Sequence, residues 1–538
     1  MSDTAQYSLL DEPWIPIMWS DGSAGEMSLR ELFAKAPTIK SLAGEMVTID
    51  AVVLRLVVAI VLRATFEPDR TRREAEGVWG SWWSDWSRLD EQVQAYLTTY
   101  EDRFDLLHPT TPFMQVATLD TPSGNRSGLH KLVPNITGLF RMRQDAAESG
   151  LTLKEAARLI LLAQSYDPSG IKSGATDDER ASGGKGYPSG YSAWAGVIGI
   201  VTPEGANLAQ TILLNTNPMD VPNNDSAVWE RPAQTGAVDA GHAFPSGPAD
   251  LLTWQSRRIR LFVDEDRVHD VILANGDFVT PHGLHGMEPM AAWRISQTQT
   301  KKGGPNVWWP VSFDPSRQIW RGIEPLLAQH EGAPPTLTWV RSLMGYGLLP
   351  KDTTVAIRTI GLTYGSNNSI VSGSVDDRLT LQLIALASEA LTKAAGEAVV
   401  TAQKGVGAIT GLAGGLARAS GTGEAIARDK AAARAYDALD GPYRQWLAGL
   451  HDAQGEERHG SATVDWHRRL RRALTALGAQ LCREAGRRAV VGRMIDDDLV
   501  DLASAWRYFT YRLRILTESA NDQDQDTTPH PTKEKTDE

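Results

Sequence analysis

The stretch DWHRRLRRALTALGAQLCREAGRR, residues 465–488, decides how the C-terminal part of this chain folds. Trp466, Leu470, Leu474, Leu477 and Leu481 recur at spacings of three and four, which places them on one face of a helix. Arg468, Arg469, Arg471 and Arg472 fall away from that stripe. An apolar stripe of this width needs a partner to cover it. The neighbouring windows 379–395, 425–450 and 496–516 supply helices, and in the last of them Trp506, Phe509, Leu513 and Leu516 share a face. Four amphipathic helices with short connections predict a four-helix bundle over residues 376–516. Proline nearly vanishes from this region and alanine becomes abundant. Pro442 lies inside the second window and predicts a kink or a split there. Residues 396–424, rich in Gly and Ala, read equally as helix or loop. Residues 517–538 are polar and free of aromatics, the composition of a disordered tail.

Residues 1–375 have a different character. YSLLDEPWIPIMW (7–19), DGSAGE and MSLRELFAKA read as strand, turn, and strand or short helix, with Pro13 and Pro16 restricting the strand to an edge. Ile49–Phe66 is apolar nearly all round and reads as a buried helix carrying Arg55 within it. Residues 70–107 predict one or two helices, with Trp82, Trp86, Leu89, Val93 and Leu97 as the packed face. Residues 108–138 read mostly as loop, and Leu151–Gln164 as a helix. GYSAWAGVIGIVTPEGANLAQTILLN (190–215) follows as strand, turn and helix. The fold class expected is α+β: a large mixed N-terminal domain of short strands and helices, then an all-α four-helix bundle.

The chain has 538 residues, 42% of them hydrophobic, and a formal charge of −12. That is enough apolar material for several domains. It is not a uniformly basic nucleic-acid coat, although local clusters of Lys and Arg can still bind phosphate. Cys482 is the single cysteine. This excludes an internal disulfide and a multi-cysteine zinc site, and fits a reducing cytoplasm. No basic segment followed by an apolar run opens the chain, so no secretory signal is expected.

Helix 151–164 runs directly into SYDPSGIKSGATDDERASGGKGYPSG, residues 165–190. Glycines beside Lys172 and Lys185 suggest backbone N–H groups brought close to phosphate. A Walker A loop is excluded: Gly186 follows Lys185 where Ser or Thr belongs, and Glu179 stands in the place of the first glycine. No GxGxxG triplet lies between a strand and a helix. Ser169-Gly-Ile-Lys172 and Ser182-Gly-Gly-Lys185 match SxxK, but they fall in a loop and lack SDN and KTG companions. His269, His282 and His285 have no Cys or carboxylate cluster near them in sequence, and His269-Asp270 and His451-Asp452 are isolated dyads. No metal and no cofactor is expected. A ligand-free surface loop, a phosphate-binding hydrolase or transferase, and a nucleic-acid contact stay open. In LTYGSNNSIVSG, residues 362–373, Asn367 and Asn368 read either as turn formers that tolerate left-handed backbone or as a polar wedge for a nucleic-acid groove. Arg468 and Arg472, one helical turn apart, read as a solvated face or as a stripe that tracks DNA backbone.

Together, YSLLDEPWIPI, HPTTPFMQV, LILLAQSYDPSGIKSG, NLAQTILLN and YGSNNSI occur in the order found in CasA, and the chain resembles that family through nearly all of residues 7–516. CasA is the large subunit of the type I-E CRISPR Cascade complex. The resemblance implies a non-enzymatic, cytoplasmic role in antiviral defence with no membrane contact. Its implied partners are the other Cascade subunits, above all the one holding the guide-RNA 5′ handle, the CRISPR RNA, double-stranded target DNA and a recruited helicase-nuclease. Such a protein reads the protospacer-adjacent motif in duplex DNA, largely from the minor groove, assists opening, and leaves the remaining sequence to base pairing. The resemblance implies a motif-binding loop at Gly170, Ile171, Lys172, Ser173 and Gly174. Gly183, Gly184, Lys185 and Gly186 form an extension that either touches the same DNA or supports the loop. The family's Asn-Gln wedge matches Asn367-Asn368, with the second side chain shorter by one methylene. Val133 and Asn135 match the loop facing the guide-RNA end. The family's minor-groove lysine aligns with Ala274 or Asn275, with Lys301 or Lys302 as substitutes.

Overall fold

The computed structural model describes residues 6–133, 150–188, 190–219, 221–303, 306–326, 331–350, 353–382, 388–450 and 456–518. The chain divides into two compact units, Met1–Leu379 and Thr380–Glu538.

The first unit opens with a three-stranded antiparallel sheet in the order β2-β1-β3, formed by β1 (Ile15–Trp19), β2 (Ala24–Met27) and β3 (Ile39–Leu42). Ile15 and Ile17 point inward and are fully buried. Between β2 and β3, α1 (Leu29–Lys35) starts at a capping box: Ser28 accepts from the Glu31 N–H while Glu31 reaches back to the cap. Then α2 (Val47–Ala64) is buried without interruption from Thr48 to Leu62. Arg55, the charge inside this apolar helix, donates to both carboxylate oxygens of Glu288 at 2.7 and 2.9 Å. The Trp194 indole N–H donates to the same carboxylate at 2.7 Å. Residues 72–99 form two helices, α3 (Arg72–Ser84) and α4 (Ser87–Thr99). Trp82, Leu89, Val93 and Leu97 face the core as their spacing predicts, whereas Trp86 is half-buried and donates to the Phe33 carbonyl.

The centre of this unit is a six-stranded sheet. Its strands are β4 (Ser127–Gly128), β5 (Leu151–Thr152), β6 (Lys172–Ser173), β7 (Lys185–Gly186), β9 (Arg257–Asp264) and β10 (Arg267–Asn275). The long β9–β10 hairpin is its spine. Helix α5 (Leu153–Tyr166) starts at a Thr152–Glu155 capping box and is buried from Ala156 to Gln164. A third sheet is built from β8 (Ile200–Glu204), β11 (Thr354–Tyr364) and β12 (Val371–Gln382) in the order β12-β11-β8. The strand, turn and helix expected over residues 190–215 appear as β8, a turn and a helix at Leu208–Leu214, with an additional turn of helix at Trp194–Val197 ahead of them.

The second unit holds four long helices, α6 (Glu389–Ser420), α7 (Glu424–Ala448), α8 (Glu456–Glu484) and α9 (Leu502–Thr517). Trp466, Leu470, Leu474 and Leu477 are buried as the heptad-like spacing requires. The Trp466 ring meets Tyr443 and Trp446 at centroid distances of 5.3 and 5.5 Å. Two window boundaries are corrected and one open reading is resolved. Residues 379–382 continue β12 and are not the start of a helix. The Gly- and Ala-rich run 396–424 belongs mostly to one 32-residue helix. Residues 493–500 form a small hairpin, β13 (Arg493–Ile495) with β14 (Asp498–Val500), ahead of α9. Pro442 does not split α7, which continues through it. The tail from residue 519 and the dyad His451-Asp452 lie outside the described residues. Among the described residues, no helix is long and apolar enough to cross a membrane.

Candidate nucleic-acid interface

The site grows from the end of α5. Gln164 fixes this end: its amide donates to the Arg257 carbonyl at 3.0 Å and accepts from the Arg257 N–H at 2.9 Å. The next turn delivers Asp167, which is 5% exposed and paired with the Arg257 guanidinium at 2.5 Å and with the Lys172 ammonium at 2.6 Å. Arg257 also donates to the carbonyls of Asp167 and Pro168. The chain therefore leaves the helix along a fixed path.

Gly170 to Gly174 then form a short edge. Ile171 projects outward, 55% exposed. Lys172 turns inward, its side chain only 12% exposed. Burial holds the Lys172 ammonium below the usual lysine range; Asp167 opposes this, while the like charges of Arg257 and Lys131 add to it. Ser173 pairs with Ala274 on one side and Lys185 on the other. Gly174 donates to the Gly184 carbonyl at 3.0 Å, and a Cβ at 174 would lie 2.9 Å from both the Ala181 Cβ and the Gly184 carbonyl carbon. Only glycine fits that approach.

The second glycine cluster is the turn that closes this edge. Gly183 and Gly184 have φ of +58° and +73°, and Ser182 and Lys185 exchange backbone hydrogen bonds at 2.9 and 3.1 Å. This is a two-residue hairpin whose backbone requires two left-handed residues. The 165–190 segment, which reads as loop in sequence, is thus partly a β-ribbon on the edge of the central sheet. Cross-strand register puts Lys185 on the face of Ser173, so Lys172 and Lys185 project to opposite faces. Asn275 ties the ribbon down, its amide donating to the carbonyls of Gly186 and Tyr187, both at 3.1 Å.

The tip joining β11 to β12 packs against this ribbon. Asn367 and Asn368 both adopt left-handed backbone, with φ of 57° and 54°, which Asn accommodates better than most residues. The Ser169 N–H donates to the Asn368 carbonyl at 2.8 Å, and the Asn368 amide donates to the Gly190 carbonyl at 3.0 Å. Asn367 is exposed. Two motifs far apart in sequence therefore meet, and Ile171, Tyr187 and Ile370 stand exposed around them.

Other residues singled out in the sequence lie elsewhere. Arg468 and Arg472 are exposed on α8 in the second unit, and Arg468 pairs with Asp465 at 3.2 Å. Val133 is half-buried after a turn of 3-10 helix at Leu129–Leu132, and Asn135 lies outside the described residues. Lys301 is exposed on a short helix, Gln297–Gly303. Among the described residues, no group of three His, Cys, Asp or Glu is placed to hold a metal. Sequence reading missed the cations of the 121–131 loop, Arg126 and Lys131, which line a polar pocket with Ile171, Lys172 and Ser173. The signal available was the run TPSGNRSGLHK itself, a polar loop with two cations and no acid.

Comparison with known proteins agrees along the chain. The crystal structure of Cse1 from Thermobifida fusca is 36% identical, covers 96% of this chain and 99% of its own, and superposes with a TM-score of 0.87. Cse1 from Acidimicrobium ferrooxidans is 25% identical with a TM-score of 0.78, covering 97% of this chain and 99% of that one. A CasA/Cse1 protein of Thermus thermophilus is 28% identical over 356 residues, 64% of this chain and 65% of the relative's length. The family model described as CRISPR-associated protein Cse1 matches residues 8–477, and the chain belongs to that family.

Proposed function

We propose that this chain is the non-catalytic large subunit of an RNA-guided CRISPR surveillance complex, in which it recognises the adjacent motif in duplex DNA, assists opening and docks a helicase-nuclease. The observation that carries the reading is the union of the glycine ribbon and the asparagine tip through Ser169, Asn368 and Gly190. A motif reader needs a backbone surface that can approach a groove closely, and a rigid projection beside it. Glycine at 170–174 and 183–186 supplies the first, and Asn367 the second. Minor-groove reading separates mainly A·T from G·C, so tolerance of several motifs is expected. Opening costs a few kcal/mol per base step, which phosphate contacts within a large assembly can offset. Membership of the Cse1 family supports the same role.

The hydrolase or transferase reading needed Lys172 and Lys185 to converge on one phosphate. They face opposite sides of the ribbon, and Lys172 is committed to Asp167.

The test compares guide-loaded complexes with and without this chain on matched duplexes that carry or lack the adjacent motif. Discrimination should vanish when the chain is removed. Discrimination that survives removal overturns the reading.

A further inference from the structure

The glycine ribbon forms one wall of a pocket of about 260 Å³. The other wall is the 121–131 loop, with Ser123, Asn125, Arg126, Ser127 and Lys131. Among the described residues, no carboxylate lines this pocket, in a chain whose net charge is −12. Arg126 is held in place by its neighbours. Its guanidinium lies over the Phe262 ring, 3.7 Å from the centroid, and makes a long ion pair with Asp270 at 3.9 Å. Stacking orients the planar fork while leaving its edge free to bind. Lys131 is exposed and forms no ion pair among the described residues. Its charge is felt at Lys172, which must share Asp167 with Arg257. Among the described residues, the cluster therefore carries more positive charge than its acids balance. Such a site gains more from an incoming anion than an isolated surface lysine does, because the anion also relieves repulsion among the cations.

We propose that this pocket seats a backbone phosphate of the duplex, with Lys131 and Arg126 as its cations and the hydroxyls of Ser123 and Ser127 as neutral donors. The inference rests on the reading of the chain as a duplex-motif reader and adds a register contact to it. The seat shares a wall with the ribbon, since Ile171, Ser173 and Gly184 line both. A phosphate held there fixes which base step faces Gly170–Gly174 and Asn367. Phosphate contacts position a protein on DNA and carry no base information.

The experiment uses the guide-loaded complex containing the full chain, with Lys131→Ala, Arg126→Gln and Lys131→Arg variants. Affinity is measured at several salt concentrations on motif-bearing and motif-lacking duplexes, together with the guide RNA retained per complex. Lys131→Ala should weaken both duplexes by the same factor and reduce the slope of log affinity against log salt by about 0.9, one phosphate contact. Lys131→Arg should restore the slope. Both positions are exposed, so folding should survive, and the melting temperature of the isolated chain checks this. An unchanged slope overturns the proposal. So does a slope change that appears only when guide RNA is lost, which places the phosphate in the RNA. A changed ratio between the two duplexes also overturns it, because the contact is then to a base. Failure of the motif reading shows separately, as wild-type complex that does not discriminate between the duplexes.

Discussion

At the scale of single residues, the buried charges are where one side chain matters most. Arg55 and Glu288 are 3% and 0% exposed. Removing one partner leaves the other charged in a low-dielectric site, which costs about 3–5 kcal/mol. Arg55→Met should therefore lower unfolding free energy by that amount in chemical denaturation. Arg55→Met combined with Glu288→Gln should recover most of it, because Gln still accepts from the Trp194 indole. Arg55 stood out in sequence as a charge within an apolar helix. Its partner could not be read there, since Glu288 lies 233 positions away in a Pro- and Gly-rich stretch. The two tip asparagines divide their labour in the same local way. Asn367→Gly keeps the left-handed backbone and removes only the exposed side chain. It should leave thermal stability within about 0.5 kcal/mol of wild type while reducing duplex opening, read by fluorescence of a base analogue beside the motif. Asn368→Ala loses the hydrogen bond to Gly190 and pays for a left-handed alanine, about 1–2 kcal/mol, so it should lower stability as well.

At the scale of elements, the ribbon depends on its glycines and on one ion-pair cluster. Gly174→Ala forces a methyl against Ala181 and the Gly184 backbone, and overpacking of this kind costs about 1–3 kcal/mol. Hydrogen exchange at Gly174 and Lys185 should accelerate in that variant while α5 stays protected. Lys172 sets a pH signature. Burial lowers its folded pKa, so between that value and the unfolded value near ~10.4 the unfolded chain holds a proton that the folded chain has released. Stability contributed by this group therefore rises with pH across that window. Wild type should gain stability relative to Lys172→Met on alkaline titration, and the gain should be absent below the window. Helix and strand types were legible where the apolar pattern was strong, continuous in α2 and periodic in α8. They were not legible where packing overrode propensity. The glycines in α6 argue against a helix, yet Gly405 gives room to Leu474 and Gly415 to Ala505, so close helix approach outweighs the propensity cost. Residues 379–382 look helical beside the alanine-rich run, but Val371, Val375, Leu379 and Leu381 alternate onto the buried face of β12. The site was legible as separate motifs. Their meeting was not, because backbone hydrogen bonds from Ser169 and to Gly190 leave no trace in residue type.

At the scale of the whole molecule, the two units each possess a complete core, and the proposed functions fall on different ones. The ribbon, the tip and the phosphate seat are built from residues 121–131, 169–190 and 365–370 of the first unit, whereas Arg468 and Arg472 belong to the second. Chains with separate cores do not unfold in a single two-state step. Calorimetry of the full chain should therefore resolve two transitions. Leu474 is fully buried in the bundle against Gly405, so Leu474→Ala should cost about 2–5 kcal/mol and move one transition only. That variant also separates the functional roles. Below the lowered transition it should keep the motif discrimination of the guide-loaded complex, because nothing in the first unit has changed. If discrimination falls while the bundle is still folded, motif reading depends on the bundle, and the ribbon and tip do not act alone. A single transition that shifts as a whole would show instead that the two cores unfold as one, and that effects of bundle substitutions on DNA binding cannot be assigned to the arginines of α8.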